Sequence, residues 1–121
     1  MSTVLVVEAN ESIIILLETM LARANHQVLS ARSGALGIEM AETYQPDLIL
    51  IDEHLPGMAG EVVCAQLRSN PATSHIPLIL STTASVGDPL HYAQRTGADY
   101  VLPKPFRAQD LLSLLDCVLH P

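Results

Sequence analysis

Polar residues capable of chemistry stand at the ends of short aliphatic runs in this chain. Glu8 follows VLVV at 4 to 7, Asp52 follows DLILI at 47 to 51, Ser81, Thr82 and Thr83 close or follow IPLILS at 76 to 81, and Lys104 lies just beyond DYVL at 99 to 102. Carboxylates supply hard oxygen ligands, hydroxyls donate and accept hydrogen bonds, and lysine carries a compact positive charge. Brought together, an acid pair, a hydroxyl and a lysine make a polar ligand site. That convergence requires the first, third, fourth and fifth strands of the chain to be neighbours in one sheet.

The elements that must do the positioning are legible. With HQVLSA at 26 to 31, five aliphatic runs read as strands. Between them lie segments of helical spacing, such as Ile14, Leu17 and Leu21 in the first and Leu111, Leu115 and Val118 in the last. Asn10 and Ser33 are suited to capping helices, Asp88 with Pro89 reads as N-cap then N1, and Gly97 closes the fourth helix. Near-continuous apolar strands alternating with helices predict an α/β fold with a parallel sheet covered on both faces. In such sheets ligand sites form outside the carboxyl ends of the strands. The second strand ends only in Arg32 and Ser33, which suits an edge position.

Composition bounds the function. A chain of 121 residues, 49% of them hydrophobic, suits one folded domain over 1–121. No apolar run approaches the roughly 20 residues of a membrane helix. The start, MSTVLVVE, has neither a basic region nor a cleavage site ahead of its first strand, so a cytoplasmic location without membrane attachment is expected. Thirteen acidic residues against six basic give a net charge of -7, which disfavours direct binding to nucleic acid. Cys64 and Cys117 lack metal-ligand spacing and are expected as buried thiols, and the five histidines are too scattered for a zinc site.

At DLILIDEHLPGMAG around Asp52, PLILSTT with Thr82, and GADYVLPKPF with Lys104, the chain resembles the receiver domain of bacterial two-component response regulators over essentially its whole length. The resemblance implies a flavodoxin-like, doubly wound five-stranded parallel sheet of order 2-1-3-4-5 with five helices. It implies that Asp52 accepts a phosphoryl group from a histidine kinase or phosphotransfer protein, that Thr82 holds a phosphoryl oxygen, and that Lys104 is the fixed cation. The domain would then be a signalling module and not an enzyme, its modified state altering affinity for an output protein or effector domain. A Mg²⁺ ion would be held by Glu8, Asp52 and the backbone carbonyl of His54, with Gly57 and Gly60 letting the loop fold around it. Pro105 would form a cis peptide with Lys104.

Three positions depart from the family pattern. Where two adjacent acids are usual after the first strand, this chain has Glu8 and then Ala9, whose methyl group is no ligand for a hard cation, so Mg²⁺ binding is expected to be weakened. Where an aromatic is common three residues before the lysine, Val101 stands, and Tyr100 one place earlier belongs to the opposite face of the strand. Thr83 replaces a smaller residue and narrows access to Asp52, and the His54 side chain is expected to overhang the site. Glu11, Glu18, Glu39, Glu42 and Asp110 read as exposed helical faces. Ala9 and Val101 motivate a competing function, a receiver that works as a phosphorylation-independent interaction or homodimerisation module. A flavin- or nucleotide-binding domain of the same sheet order is a third reading, but the loop EANES is acidic and glycine-free, a poor phosphate cradle.

Overall fold

A computed structural model describes residues 2–83 and 89–120. Strands and helices alternate five times: β1 Thr3–Val7, α1 Glu11–Arg23, β2 Gln27–Ala31, α2 Gly34–Tyr44, β3 Leu48–Asp52, α3 Gly60–Ser69, β4 Leu78–Thr82, α4 Pro89–Thr96, β5 Tyr100–Pro103 and α5 Ala108–Leu119. The five strands form one parallel sheet in the order β2-β1-β3-β4-β5. The expected flavodoxin-like architecture and the edge position of β2 are therefore observed. No helix among the described residues is long and apolar enough to cross a membrane.

Local chemistry sets the helix ends. The Asn10 side chain accepts the Ile13 N–H at 3.2 Å and Ser33 Oγ accepts the Leu36 N–H at 3.2 Å, so each cap satisfies a donor that the first helical turn leaves unpaired. α4 begins at Pro89, where proline's missing N–H is no loss, and its expected cap Asp88 lies outside the described residues. Gly97 follows α4 and donates its N–H to Ala93 O at 2.9 Å. Asp110 does more than face solvent, because its carboxylate accepts the Arg107 N–H at 3.0 Å and closes the start of α5.

Side-chain alternation divides the core into two layers. Leu5, Val7, Ile49, Ile51, Leu78 and Leu80 pack against α2, α3 and α4. Val4, Val6, Leu48, Leu50, Ile79 and Leu102 pack against α1 and α5 through Leu17, Leu21, Leu111 and Leu115. A period of two then carries this second set of rows into polar residues at the carboxyl edge: Val4 and Val6 lead to Glu8, Leu48 and Leu50 to Asp52, Ile79 to Ser81, and Leu102 to Lys104. Four chemically active groups thereby share one face. Cys64 is buried in the first layer, and burial pushes its thiol up to about 12. Cys117 is exposed, contrary to expectation, because α5 directs Leu111 and Leu115 to the sheet and turns Cys117 outward.

The loop between β3 and α3 is held against the sheet edge. Gly60 N–H donates to Glu53 O at 2.9 Å, and a Cβ at Gly60 would lie 2.4 Å from Asp52 O and 2.8 Å from Glu53 Cα. Backbone on both sides of that contact leaves no cheap relaxation. Gly60→Ala is expected to lower stability by about 1–3 kcal/mol, read as a lower urea midpoint at unchanged slope; an unshifted midpoint would contradict this packing.

Candidate functional site

Each polar side chain at the carboxyl edge is positioned by a strand that continues its hydrogen-bond ladder to, or just past, that residue. Glu8 N–H donates to Ala31 O at 3.0 Å, Asp52 is paired with Ser81 at the end of β3 and β4, and Lys104 N–H donates to Thr82 O at 2.8 Å. The main chain under the site is therefore fixed before any side chain interacts. The peptide bond after Lys104 is cis, as the family resemblance implies.

Lys104 Nζ lies 2.5 Å from Asp52 Oδ1 and 3.9 Å from Glu8 Oε1, so one ammonium spans two carboxylates. Glu8 and Asp52 are only 3% and 7% exposed, and Lys104 reaches them with its side chain 20% exposed. Two anions held this close out of water repel each other and lose hydration, so the single cation neutralises only part of the charge. Glu8 Oε2 accepts the Ala9 N–H at 2.8 Å and the Asn10 N–H at 3.4 Å. The Glu8 carboxyl nevertheless titrates above its ordinary value of 4.5. Burial is the larger cause and the Asp52 charge the second, and together they outweigh the opposing N–H groups of Asn10 and Ala9 and the Lys104 charge.

The remaining predicted residues take distinct places. Thr82 is fully buried at the end of β4, one residue past the Ser81 that pairs with Asp52, and its carbonyl anchors Lys104. His54 and Thr83 are exposed, and His54 Nε2 and Thr83 Oγ1 share a hydrogen bond of 3.2 Å that links the loops after β3 and β4. Gly57 adopts a φ of 77°, a left-handed conformation that suits glycine, in the loop carrying His54. Val101 packs into the layer under α2, α3 and α4, while Tyr100 stands on the other face, 42% exposed.

Two features have no role of their own in the sequence reading. Ser81 is 3% exposed and belongs to the same face as Glu8, Asp52 and Lys104; strict alternation from Ile79 was the available signal. Glu53, one residue past Asp52, accepts a hydrogen bond from Tyr92 of α4 at 3.2 Å, and Arg95 stacks over the Tyr92 ring at 4.9 Å while reaching Glu61 of α3 at 3.3 Å. No local motif in the sequence announces that long-range contact.

Among the described residues no three His, Cys, Asp or Glu side chains form a metal cluster. The acidic pair and the neighbouring main-chain carbonyls are hard oxygen donors all the same. Magnesium sites that receive phosphate ligands commonly use only one or two carboxylates and keep several waters, so Glu8 and Asp52 fit such an ion. The nearby ammonium offers a second positive charge to the same anionic ligand.

Residues 4–116 match the family model described as the response regulator receiver domain. The chain is 34% identical to the protein PilH of Pseudomonas aeruginosa, covering 98% of each. Several other relatives are longer, and the chain spans between 8% and 52% of their lengths. Its fold superposes on the chemotaxis response regulator CheY4 of Vibrio cholerae with a TM-score of 0.90 at 28% identity, covering 98% of this chain and 99% of that one. It also matches the receiver domain of a sensor histidine kinase of Pseudomonas aeruginosa, with a TM-score of 0.89 at 24% identity, covering 99% of this chain and 98% of that one. The latter structure has a magnesium ion coordinated in its active-site cleft.

The raised Glu8 value fixes the sign of a pH effect. The folded protein holds this proton to higher pH than the unfolded chain, so stability declines as pH rises from 4.5 through the folded value. In buffer containing a chelator, Glu8→Gln is expected to be more stable than the wild type to urea at neutral pH, with the advantage vanishing below pH 4.5. A variant less stable at neutral pH would contradict the charge balance described.

Proposed function

The chain belongs to the response regulator receiver domain family, the signalling modules that accept phosphoryl groups in two-component systems, and from that premise we propose that Asp52 is its phosphoacceptor. The carrying observation is the Lys104 ammonium, 2.5 Å from Asp52 Oδ1 with Glu8 closing the third corner. The domain is read as a single receiver over 1–121, with a histidine kinase or phosphotransfer protein as donor and an output protein or effector domain as reader. We read its work as cytoplasmic, with protein partners and not nucleic acid, in keeping with its net charge of -7.

In this reading an Asp52 oxygen attacks the phosphorus of a phosphohistidine, the P–O bond forms as the P–N bond breaks, and the imidazole departs with the bonding electron pair. Sheet-end positioning supplies the in-line approach. Lys104, already between the carboxylates, turns its charge to a phosphoryl oxygen, and Thr82 donates its hydroxyl to another. Glu8, Asp52 and the His54 carbonyl are the groups that would hold Mg²⁺. When bound, that ion neutralises developing charge on the equatorial oxygens. Glu8, with its longer side chain and without a neighbouring acid, makes the site weaker than a site with two acids and not absent.

The retained cluster of Asp52, Lys104 and Glu8 favours this reading over a phosphorylation-independent interaction or homodimerisation module, which would have no use for two buried acids under a lysine. Signal output follows from Glu53, which joins the Asp52 backbone to α4 through Tyr92. Because Val101 is in place of an aromatic residue, that hydrogen bond is the connection we assign to carry the change towards α4.

Incubation with acetyl phosphate and Mg²⁺ is expected to add the mass of one phosphoryl group to the wild-type protein and none to Asp52→Asn, as read by intact-mass spectrometry. Equal labelling of both would overturn the assignment. Supplying the second acid by Ala9→Asp is expected to tighten Mg²⁺ binding by about tenfold or more, measured by calorimetric titration; unchanged affinity would show that position 9 has no access to the ion.

A further inference from the structure

Ser81 is an unexpected residue where it stands. Its face of β4 is otherwise apolar, continuing from Ile79, and the row beside it is Leu48, Leu50 and Asp52. The side chain is almost wholly buried, and among the described residues its hydroxyl has no hydrogen-bond partner. Leaving a buried hydroxyl unsatisfied carries a desolvation penalty, so an apolar residue would serve the core better unless the oxygen has a task.

A small cavity of about 20 Å³ lies next to it, lined by Ser81, Glu8, Asp52 and Lys104 on its polar side and by residues such as Ile13 and Phe106 on its apolar side. One water needs roughly 10–15 Å³ measured in this way and two to four polar partners. The volume is enough for one water. Of the two Glu8 oxygens, Oε2 is committed to the Ala9 and Asn10 N–H groups, whereas among the described residues Oε1 has only the 3.9 Å approach of Lys104.

We propose that this cavity is a binding site for a single buried water, anchored by Ser81 Oγ, that hydrogen-bonds Glu8 and holds its carboxylate in place beside Asp52. Ser81 is then a positioning residue for Glu8, acting through the water and without touching the phosphoryl group. In a site that has Ala9 where a second acid is usual, one carboxylate carries more of the cation binding, and its orientation matters correspondingly more. The consequence for Mg²⁺ rests on the function proposed above; the water site itself does not.

The test combines a high-resolution crystal structure of the metal-free protein with Mg²⁺ titration of the wild type, Ser81→Val and Ser81→Thr. Valine replaces the hydroxyl by a methyl group and adds a second methyl, and threonine adds that same methyl while keeping the hydroxyl, so the two variants differ only in the group tested. The expected result is one ordered water within hydrogen-bond distance of Ser81 Oγ and the Glu8 carboxylate, lost in Ser81→Val and kept in Ser81→Thr. With it, Mg²⁺ affinity is expected to fall about 10-fold in Ser81→Val, as for loss of other partners that orient a metal ligand, and to recover in Ser81→Thr. A dry cavity in the wild type overturns the proposal, as does a Ser81→Val protein that folds and binds Mg²⁺ with wild-type affinity. If the wild type holds the bridging water but binds no Mg²⁺, the water site stands and the metal reading of Glu8 fails.

Discussion

Everything at this site depends on one ammonium group placed between two carboxylates at the edge of a parallel sheet. Burying Glu8 and Asp52 side by side is unfavourable in itself, and the raised titration of Glu8 shows that Lys104 does not fully cancel the penalty. A buried ion pair of this kind contributes little net stability compared with apolar packing. Its value lies in readiness. The site already holds a cation close to the proposed nucleophile, and its surplus negative charge favours a further divalent ion.

The fold makes that arrangement nearly unavoidable once the strand order is set. Glu8, Asp52, Ser81 and Lys104 are the next members of four rows that fill the layer under α1 and α5. Parallel strands end at the same edge, so rows that are apolar through the sheet emerge there together as a compact polar patch. The opposite face follows the same logic with a different outcome. There Glu53 meets Tyr92 of α4, so residues 52 and 53 of one strand end address the lysine–carboxylate cluster and α4 from opposite faces of the sheet.

Much of this could be read in the sequence, for physical reasons that differ between residues. Strands were legible because fully buried parallel strands are continuous aliphatic runs, and helices because caps such as Asn10 and Ser33 act locally. Asp52, Glu8 and Lys104 were legible because the polar residue that terminates each run has nowhere else to lie. Their mutual distances were not, since those depend on the strand order, which came from family resemblance. Cys117 was misjudged because its apolar neighbours mark a buried helix face that the helical turn carries it away from. Ser81 was read only as one of three hydroxyls at a strand end, because serine beside two threonines looks ordinary there, and the Glu53–Tyr92 contact went unread because it joins positions 39 residues apart.

The central claim is that one acid beside the phosphoacceptor suffices for a working site, and that its state reaches α4 without an aromatic at position 101. An amide NMR titration with Mg²⁺, followed by beryllofluoride as a phosphoryl mimic, tests both halves in one experiment. The account predicts Mg²⁺-dependent shifts at Asp52, Thr82 and Lys104 that extend through Glu53 to Tyr92 when the mimic binds. Silence at millimolar Mg²⁺, with no response to beryllofluoride, would contradict it and leave a receiver fold whose buried acids no longer serve phosphoryl transfer.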